Sequence, residues 1–234
     1  GGEAARRAAA RLAGNLIVIG AALLQRPAAE LRLESGCVCV PGGGPSVSLA
    51  EIARIARYSP AQTGLDTPPP LSVEESFEPA GEPYLAANGV FCAHVGVDPG
   101  TGQVDLLGFW AVEDCGRVIN PLLVDEQLRG GIVQGIGAAL LEGCHYSAEG
   151  QLETATLADY LVPMAAGMPD IVIAHVETPA AASGLGARGV GEAGVVGAPA
   201  AIRCAINDAL RPLGAQVTRQ PYTPDHILQA LGRG

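Results

Sequence analysis

The chain has 234 residues, with 24 acidic residues against 14 basic ones, and its formal net charge is −10. That acidic balance argues against nucleic-acid binding, because nucleic acids are recognised by clustered cations. Apolar residues make up 48% of the sequence, which is high for a soluble monomer, yet the longest apolar runs are too short or too interrupted to cross a membrane. We therefore expect no transmembrane segment and assign the excess apolar surface to a subunit interface.

Six cysteines and four histidines are spread along the chain without a ligand pattern. Only Cys37 and Cys39 are close together and no C-x-x-C pair exists, so the sequence supports neither an iron–sulfur nor a zinc site. The histidines share no ligand spacing, and we assign no metal ligand to the chain. Scattered thiols are typical of a reducing compartment, so we expect a cytoplasmic protein.

The first part of the chain combines a helix, a hairpin and a second helix. An Ala/Leu/Arg-rich stretch predicts a helix over residues 3–24. Ser35-Gly36 separates two short apolar runs and indicates a small hairpin. Ser48-Leu-Ala-Glu51 is a capping box, in which each of the two side chains is expected to bond the backbone N–H of the other residue, and it predicts a short second helix.

A proline-rich stretch then divides the chain. Residues 59–70 contain Pro60, a glycine and a run of three prolines, which predicts a stiff extended linker. The predicted organisation is a helical and hairpin segment over residues 1–58, a linker over 59–83 and a C-terminal lobe over 84–234.

The C-terminal lobe mixes strands and helices. Apolar strands are predicted over residues 88–97, 103–113 and 171–177, the first two joined by an Asp-Pro-Gly-Thr-Gly turn. Helices are predicted over residues 122–142, 199–211 and 225–231. Because these elements do not alternate regularly as β-α-β units, the predicted fold class is α+β.

The most informative stretch sets one carboxylate inside a run of glycines. Glu192 is the only acidic residue between Glu177 and Asp208, and glycines lie on both sides of it. Glycine at this density lets a backbone approach a ligand closely, and the free N–H groups that begin the following helix form an anion site. Such a setting suits a general base. The alternative is a glycine-rich connection whose Glu192 side chain points to solvent.

The predicted helix over residues 122–142 carries four glycines, each of which costs about 1 kcal/mol relative to alanine. Something must therefore approach this helix closely. Gln127, Gly131 and Gln134 fall within an arc of about 60°, so they form a seam of two amides around a gap. Either this seam binds a polar cofactor, or its glycine allows tight helix–helix packing while both amides stay exposed.

Four motifs occur in one order along the chain. They are Asp114-Cys-Gly-Arg-Val-Ile-Asn-Pro121, Gln127-x-x-Gly-Gly-Ile-Val-Gln134-Gly-Ile-Gly, Asp159-Tyr-Leu-Val-Pro163 and Gly189-Val-Gly-Glu192. With these motifs the chain resembles the C-terminal part of the molybdopterin-binding large subunit of the xanthine dehydrogenase, aldehyde oxidase and carbon-monoxide dehydrogenase family. The resemblance extends over essentially the whole chain but covers only a portion of a usual large subunit.

The resemblance implies a molybdenum hydroxylase, which oxidises aldehydes, N-heterocycles or CO with water as the oxygen source. It implies a molybdenum–molybdopterin cofactor, usually the cytosine dinucleotide form in bacteria, and electron transfer to [2Fe–2S] clusters and FAD on partner subunits. The glutamate that matches Glu192 is the catalytic base in that family. The residues expected to contact the cofactor are Gln127, Gly131, Gln134, Arg188, Gly189, Val190 and Gly191.

The chain also departs from the family pattern. The upstream loops that complete the cofactor and substrate sites are absent, and Arg188 stands where lysine is common. We expect the missing part of the large subunit on the same or a separate chain, an FAD-binding subunit and an iron–sulfur subunit as further partners, and a small molecule as substrate. Two other functions stay open: a non-catalytic structural or assembly subunit that keeps the fold, and a glycine-rich anion-binding module without a redox role.

Overall fold

The computed structural model of the chain describes residues 1–79 and 85–233. The chain folds as two compact units, Gly1–Ala80 and Gly81–Gly234. The last residues of the predicted linker and the first residue of the predicted C-terminal lobe lie outside the described residues, so those domain boundaries stay a prediction.

The first unit contains two helices and three short strands. Its elements are α1 (Gly2–Leu24), β1 (Arg32–Glu34), β2 (Cys37–Cys39), β3 (Ser46–Ser48) and α2 (Leu49–Tyr58). The strands form an antiparallel sheet in the order β1-β2-β3. The predicted hairpin is confirmed as β1 and β2. The sequence analysis does not predict β3, because three residues are too few to show an alternating pattern.

The core of the first unit lies between α1 and the small sheet. Ile19 is fully buried together with Val38 and Ile52. Gly20 lets the α1 backbone approach β2, since a Cβ at this position would lie 2.6 Å from Cγ1 of Val38. By length and composition, α1 is nevertheless apolar enough to cross a membrane, which its interrupted apolar runs did not indicate. Only 17% of its most apolar 18-residue stretch is buried within the described chain.

The capping box at the start of α2 is confirmed in one half only. The Ser48 hydroxyl oxygen accepts the N–H of Glu51 at 3.1 Å, as predicted. The Glu51 carboxylate pairs with Arg54 at 2.7 Å instead of bonding back to Ser48. A cationic partner one turn along the helix therefore takes the place of the neutral N–H, because charge-assisted hydrogen bonds are the stronger ones.

The described part of the predicted linker packs against the first unit. Asn15 on α1 donates its side-chain N–H to the carbonyl of Pro70 at 2.7 Å. Leu71 packs against the core of that unit. Prolines stiffen this stretch, and an apolar side chain within it packs against the core of the first unit.

The second unit contains three strands and three helices. Its elements are β4 (Asn88–Val97), β5 (Val104–Asp114), α3 (Pro121–Leu140), β6 (Ile171–His175), α4 (Ala193–Leu210) and α5 (Pro224–Ala230). The sheet order is β4-β5-β6, with β4 antiparallel and β6 parallel to the central strand. The predicted α+β class is confirmed.

One face of this sheet is buried and the other is exposed. The buried face packs on the two long helices, and its cluster includes Phe109, Ile132, Ile136, Ile202 and Ile206. The opposite face presents large apolar side chains to the surface, among them Val90, Trp110, Val112 and Val172. A sheet with an apolar outer face is typical of a surface that another polypeptide covers.

The helix predicted to open at Pro199 begins earlier, at Ala193. Turn-type hydrogen bonds start it, because Ala193 N–H donates to Val190 and Val195 N–H donates to Glu192, both at 2.9 Å. Proline is favoured in the first turn of a helix, where its missing N–H would have no partner, and that preference led to the predicted start at Pro199. Pro199 instead lies inside the helix, so the prediction of its start was wrong.

Candidate active site

The loop that leads into α4 is tied to the segment that follows β5. Arg117 N–H donates to the carbonyl of Gly186 at 2.9 Å, and Arg188 N–H donates to the carbonyl of Cys115 at 2.7 Å. Gly186 has a φ of +70°, a backbone conformation that glycine adopts without strain. The first of the four motifs is thus joined through its backbone to the residues that immediately precede the fourth.

The Arg188 side chain anchors this junction from inside the chain. Its guanidinium lies 3.3 Å from a carboxylate oxygen of Asp114 and donates to the carbonyl of Thr178 at 3.0 Å. Asp114 also accepts the backbone N–H of Gly116 at 2.8 Å. Hydrogen bonds from Thr178 and Gly116, with the nearby Arg188 charge, lower the pKa of Asp114 to about 2. Within the chain, Nη1 and Nη2 of Arg188 brace the loop through Asp114 and Thr178, and the expected contact of Arg188 with the cofactor stays a prediction.

Glu192 occupies the N-cap position of α4, and its side chain is exposed. Gly191 before it has a φ of +47°. The side-chain N–H of Gln127 on α3 donates to the carbonyl of Gly191 at 2.7 Å. Within this chain, the side chain of Glu192 is therefore exposed to solvent, as in the alternative interpretation. The backbone next to it is held in place, because Gln127 on α3 bonds the preceding residue, Gly191.

The glycines of α3 serve its packing against α4. Gly131 is buried, and a Cβ there would lie 3.2 Å from the Cα of Gly194 and from the N of Val195. Gly135 makes a similar approach, since its Cβ would lie 2.8 Å from that of Ala198. Gly131 was expected to contact the cofactor, whereas in the structure it faces protein backbone. Tight helix packing accounts for this glycine.

Hydrogen-bond donors remain available around Glu192. In the described part of the chain, the backbone N–H groups of Gly189, Val190, Gly191 and Glu192 donate to no backbone carbonyl. Gln134 lies about two helical turns after Gln127 on the same side of α3, and its side chain is exposed. Free amides at the start of a long helix suit a ligand rich in acceptors and negative charge, such as a phosphate-bearing cofactor. Over residues 1–79 and 85–233, no cluster of three or more His, Cys, Asp or Glu side chains could hold a metal ion directly.

Three polar residues beneath this region were missed by the sequence analysis. Glu113 on β5 is 2% exposed, and His175 on β6 bonds Asp125 on α3 at 2.5 Å. A signal for the first existed: Phe109, Ala111 and Glu113 alternate along β5, so the acid shares the core face of the strand. The contact between His175 and Asp125 has no such local signal, because it depends on how the sheet meets the helix.

The fold and the site together define a binding domain for a polar cofactor with a glutamate presented beside it. A family model described as the molybdopterin cofactor-binding domain matches residues 1–169. The chain belongs to this family. The match contains the α3 seam, and the Glu192 loop lies beyond it, in a region covered by a relative that aligns over 98% of this chain.

Among known proteins, the chain is similar to the nicotine 6-hydroxylase large subunit of Paenarthrobacter nicotinovorans, with 35% identity over 98% of this chain and 28% of the relative. It is 30% identical to the carbon monoxide dehydrogenase large chain of Hydrogenophaga pseudoflava, over 79% of this chain and 22% of the relative. Among solved structures, quinoline 2-oxidoreductase from Pseudomonas putida 86 superposes with a TM-score of 0.75 and 36% identity, over 97% of this chain and 29% of that one.

The chain thus spans under a third of the length of these relatives, 28% in the first case. What the complete relatives bind and act on belongs to those proteins. For this chain, activity, substrate and partners are matters of proposal.

Proposed function

We propose that the chain is the base-carrying C-terminal part of a molybdenum hydroxylase large subunit. The observation that supports this most is the Glu192 loop, in which an exposed carboxylate follows a glycine that Gln127 holds, at the start of an 18-residue helix. The relatives are named for nicotine, quinoline and carbon monoxide. Their names support a small-molecule substrate among N-heterocycles, aldehydes and CO.

In this proposal, residues of the chain accept a proton and bind the cofactor. Bound molybdopterin supplies molybdenum, whose redox chemistry oxidises the substrate with water as the oxygen source. Glu192 would accept, at a carboxylate oxygen, the proton given up by the water-derived oxygen that attacks the substrate. The backbone N–H groups of Gly189, Val190 and Gly191 donate to polar groups of the cofactor, for which we propose the cytosine dinucleotide form. The amide of Gln134 and the side-chain oxygen of Gln127 add to these contacts.

A general base of this kind works best where water is excluded and its pKa lies near the working pH. Glu192 is exposed in this chain, so a second surface must close over it. The apolar outer face of the β4-β5-β6 sheet, where Val90 is 72% exposed and Val172 is 51% exposed, also requires a cover. We propose that the remaining part of the large subunit, on the same or a separate chain, provides both.

Electrons must leave the site after each oxidation. We propose that they pass to [2Fe–2S] clusters on a small subunit and then to FAD on a medium subunit. A relative named as subunit gamma of a dehydrogenase complex supports assembly with other chains. All six cysteines are free thiols, which supports the proposed cytoplasmic location.

The main competing function is a structural or assembly subunit that keeps the fold and no longer turns over. The two functions differ in cofactor content. Metal analysis of the complex purified through a tag on this chain should find about one molybdenum per copy if the site is catalytic. Complete assembly with every partner present and no molybdenum would support the structural function instead. An Asp114→Asn variant, which loosens the loop without touching the cofactor, serves as an internal comparison for loss of metal through misfolding.

A further inference from the structure

Three polar side chains line up at the edge of the buried face of the β4-β5-β6 sheet. The strand register places Glu113 beside His175 on one side and beside Gly89 on the other. His175 Nε2 lies 2.5 Å from an Asp125 carboxylate oxygen on α3. Glu113, His175 and Asp125, which we call the polar row, therefore run from the inside of the sheet to the first turns of a helix.

The inner end of the polar row is buried and lacks partners. Glu113 is 2% exposed, and its Oε2 has no hydrogen-bond partner among the described residues. His175 Nδ1 is buried and is likewise without a partner in that part of the chain. Burial raises the pKa of Glu113, and the neighbouring His175 opposes that rise. An apolar residue would fill this place at no such cost, so the acid has a role that packing does not explain.

The neighbouring strand makes room for this acid. A Cβ at Gly89 would collide with Glu113 Oε2 and would lie 3.0 Å from the Phe91 ring. The recess that holds the carboxyl group is therefore formed by a missing side chain on β4. Gly89 is the second residue of β4, and a glycine within a strand often marks a place where another group approaches closely.

The outer end of the polar row reaches the helix that holds the Glu192 loop. Asp125 lies two residues before Gln127, which donates to the Gly191 carbonyl at 2.7 Å. Two residues turn a helix by about 200°, so Asp125 and Gln127 lie on opposite faces of α3. Arg129 adds a second link from the Asp125 face, to the Ile171 carbonyl at 2.9 Å. One face of α3 is thus fixed to β6 while the other holds the loop.

We propose that the polar row is a positioning bracket for the base: His175, which bonds Asp125 and lies beside the buried Glu113 in the strand register, fixes the start of α3, and Gln127 carries that constraint to Gly191 and Glu192. None of the three residues touches the reacting atoms. The proposal rests on the proposed function only in naming Glu192 as the base, since the constraint on the loop exists without turnover.

The first test measures the loop directly in the assembled, molybdenum-loaded complex. Hydrogen exchange at Ala193 and Val195, whose N–H groups donate to the carbonyls of Val190 and Glu192, should become faster in His175→Ala than in the parent complex, and His175→Gln should restore part of the protection because its amide N–H can still reach Asp125. Glu153→Gln changes an exposed carboxylate outside α3 and should leave exchange unchanged. Unchanged exchange in His175→Ala would overturn the bracket.

The second test separates positioning from general stability. Asp125→Asn should lower kcat about tenfold, the low end for residues that support a site from outside, while KM changes less than about twofold and molybdenum content stays at the parent level. The double variant Asp125→Asn with Gln127→Ala should be no slower than Gln127→Ala alone, because both residues act on one loop. Fully additive losses would contradict a single path.

The two proposals can fail separately. If Glu192→Gln turns over normally, the proposed base is wrong, and the exchange measurement still tests the bracket. If Glu192→Gln is inactive while Asp125→Asn keeps both parent kcat and parent exchange, the bracket is wrong and the base stands. If His175→Ala does not assemble, hydrogen exchange and turnover can both be measured in His175→Gln and Asp125→Asn instead.

Discussion

The close approach of α3 and α4 predicts an order of stability among three Gly→Ala variants. A Cβ at Gly194 would lie 2.5 Å from the Leu128 carbonyl oxygen, closer than real Cβ atoms come. A Cβ at Gly131 would lie 3.2 Å from its nearest backbone atoms, and a Cβ at Gly130 would meet nothing within 4 Å. Gly130→Ala is therefore a matched control on the same helix.

The magnitudes follow from two opposing effects. Alanine is favoured over glycine by about 1 kcal/mol in a helix interior, so Gly130→Ala should stabilise the protein. At Gly194 the backbone must shift, and overpacking of this kind costs about 1–3 kcal/mol. At about 2–4 °C per kcal/mol for a protein of this size, Gly194→Ala should melt below Gly130→Ala by about 2–12 °C. Gly131→Ala should fall between them.

Thermal melting of the assembled complex, followed by molybdenum analysis, checks this order. Gly194 lies two residues after Glu192, so we also expect Gly194→Ala to lose turnover while Gly130→Ala keeps it. A Gly194→Ala complex that melts with the Gly130→Ala complex, or above it, would refute the argument that the two helices are in backbone contact.

Three further predictions concern the loop and the surface. Because the pKa of Asp114 falls from 3.8 to about 2 on folding, the ionised carboxylate stabilises the protein above pH 4 and this contribution is lost as pH falls through about 2. Asp114→Asn should therefore lower the melting temperature at pH 7, and the difference should vanish near pH 2. Arg188→Lys keeps the charge but loses the forked contact to Asp114 and Thr178; exchange at residues 183–188 should rise, and an unchanged rate would contradict the bracing role. The chain expressed alone should aggregate or bind a hydrophobic dye strongly, since an obligate interface buries more than about 2,000 Å²; a monodisperse, cooperatively melting monomer at micromolar concentration would contradict the missing partner.

Much of the second unit could be predicted from local patterns. The turn Asp98-Pro-Gly-Thr-Gly102 limits both flanking strands, and the structure places β4 and β5 within a residue of the predicted bounds. Asn120 and Thr223, each followed by a proline, cap α3 and α5 through their side chains. Such signals lie within a few residues of the helix or strand that they start, so they can be recognised in a single sequence.

The site was harder, because its contacts join segments distant in sequence. The glycines of α3 predicted that another group packs closely against this helix. Only the structure identifies that group as the backbone at Gly194 on α4. Arg188 was assigned to the cofactor by its place in a motif, and its partners Asp114 and Thr178 became visible only in three dimensions. Glu113 and His175 meet through parallel strand register, which no local pattern specifies.

The central claim is that Glu192 is the base of a molybdenum hydroxylase, and one substitution tests it most directly. Glu192→Gln keeps the volume of the side chain and removes its ability to accept a proton. In a complex with parent molybdenum content, we expect single-turnover reduction by substrate to slow by about 10²–10⁴-fold. Glu149→Gln, at an exposed turn of the second unit, should react at the parent rate. A Glu192→Gln complex that carries molybdenum and is reduced at the parent rate would contradict the account.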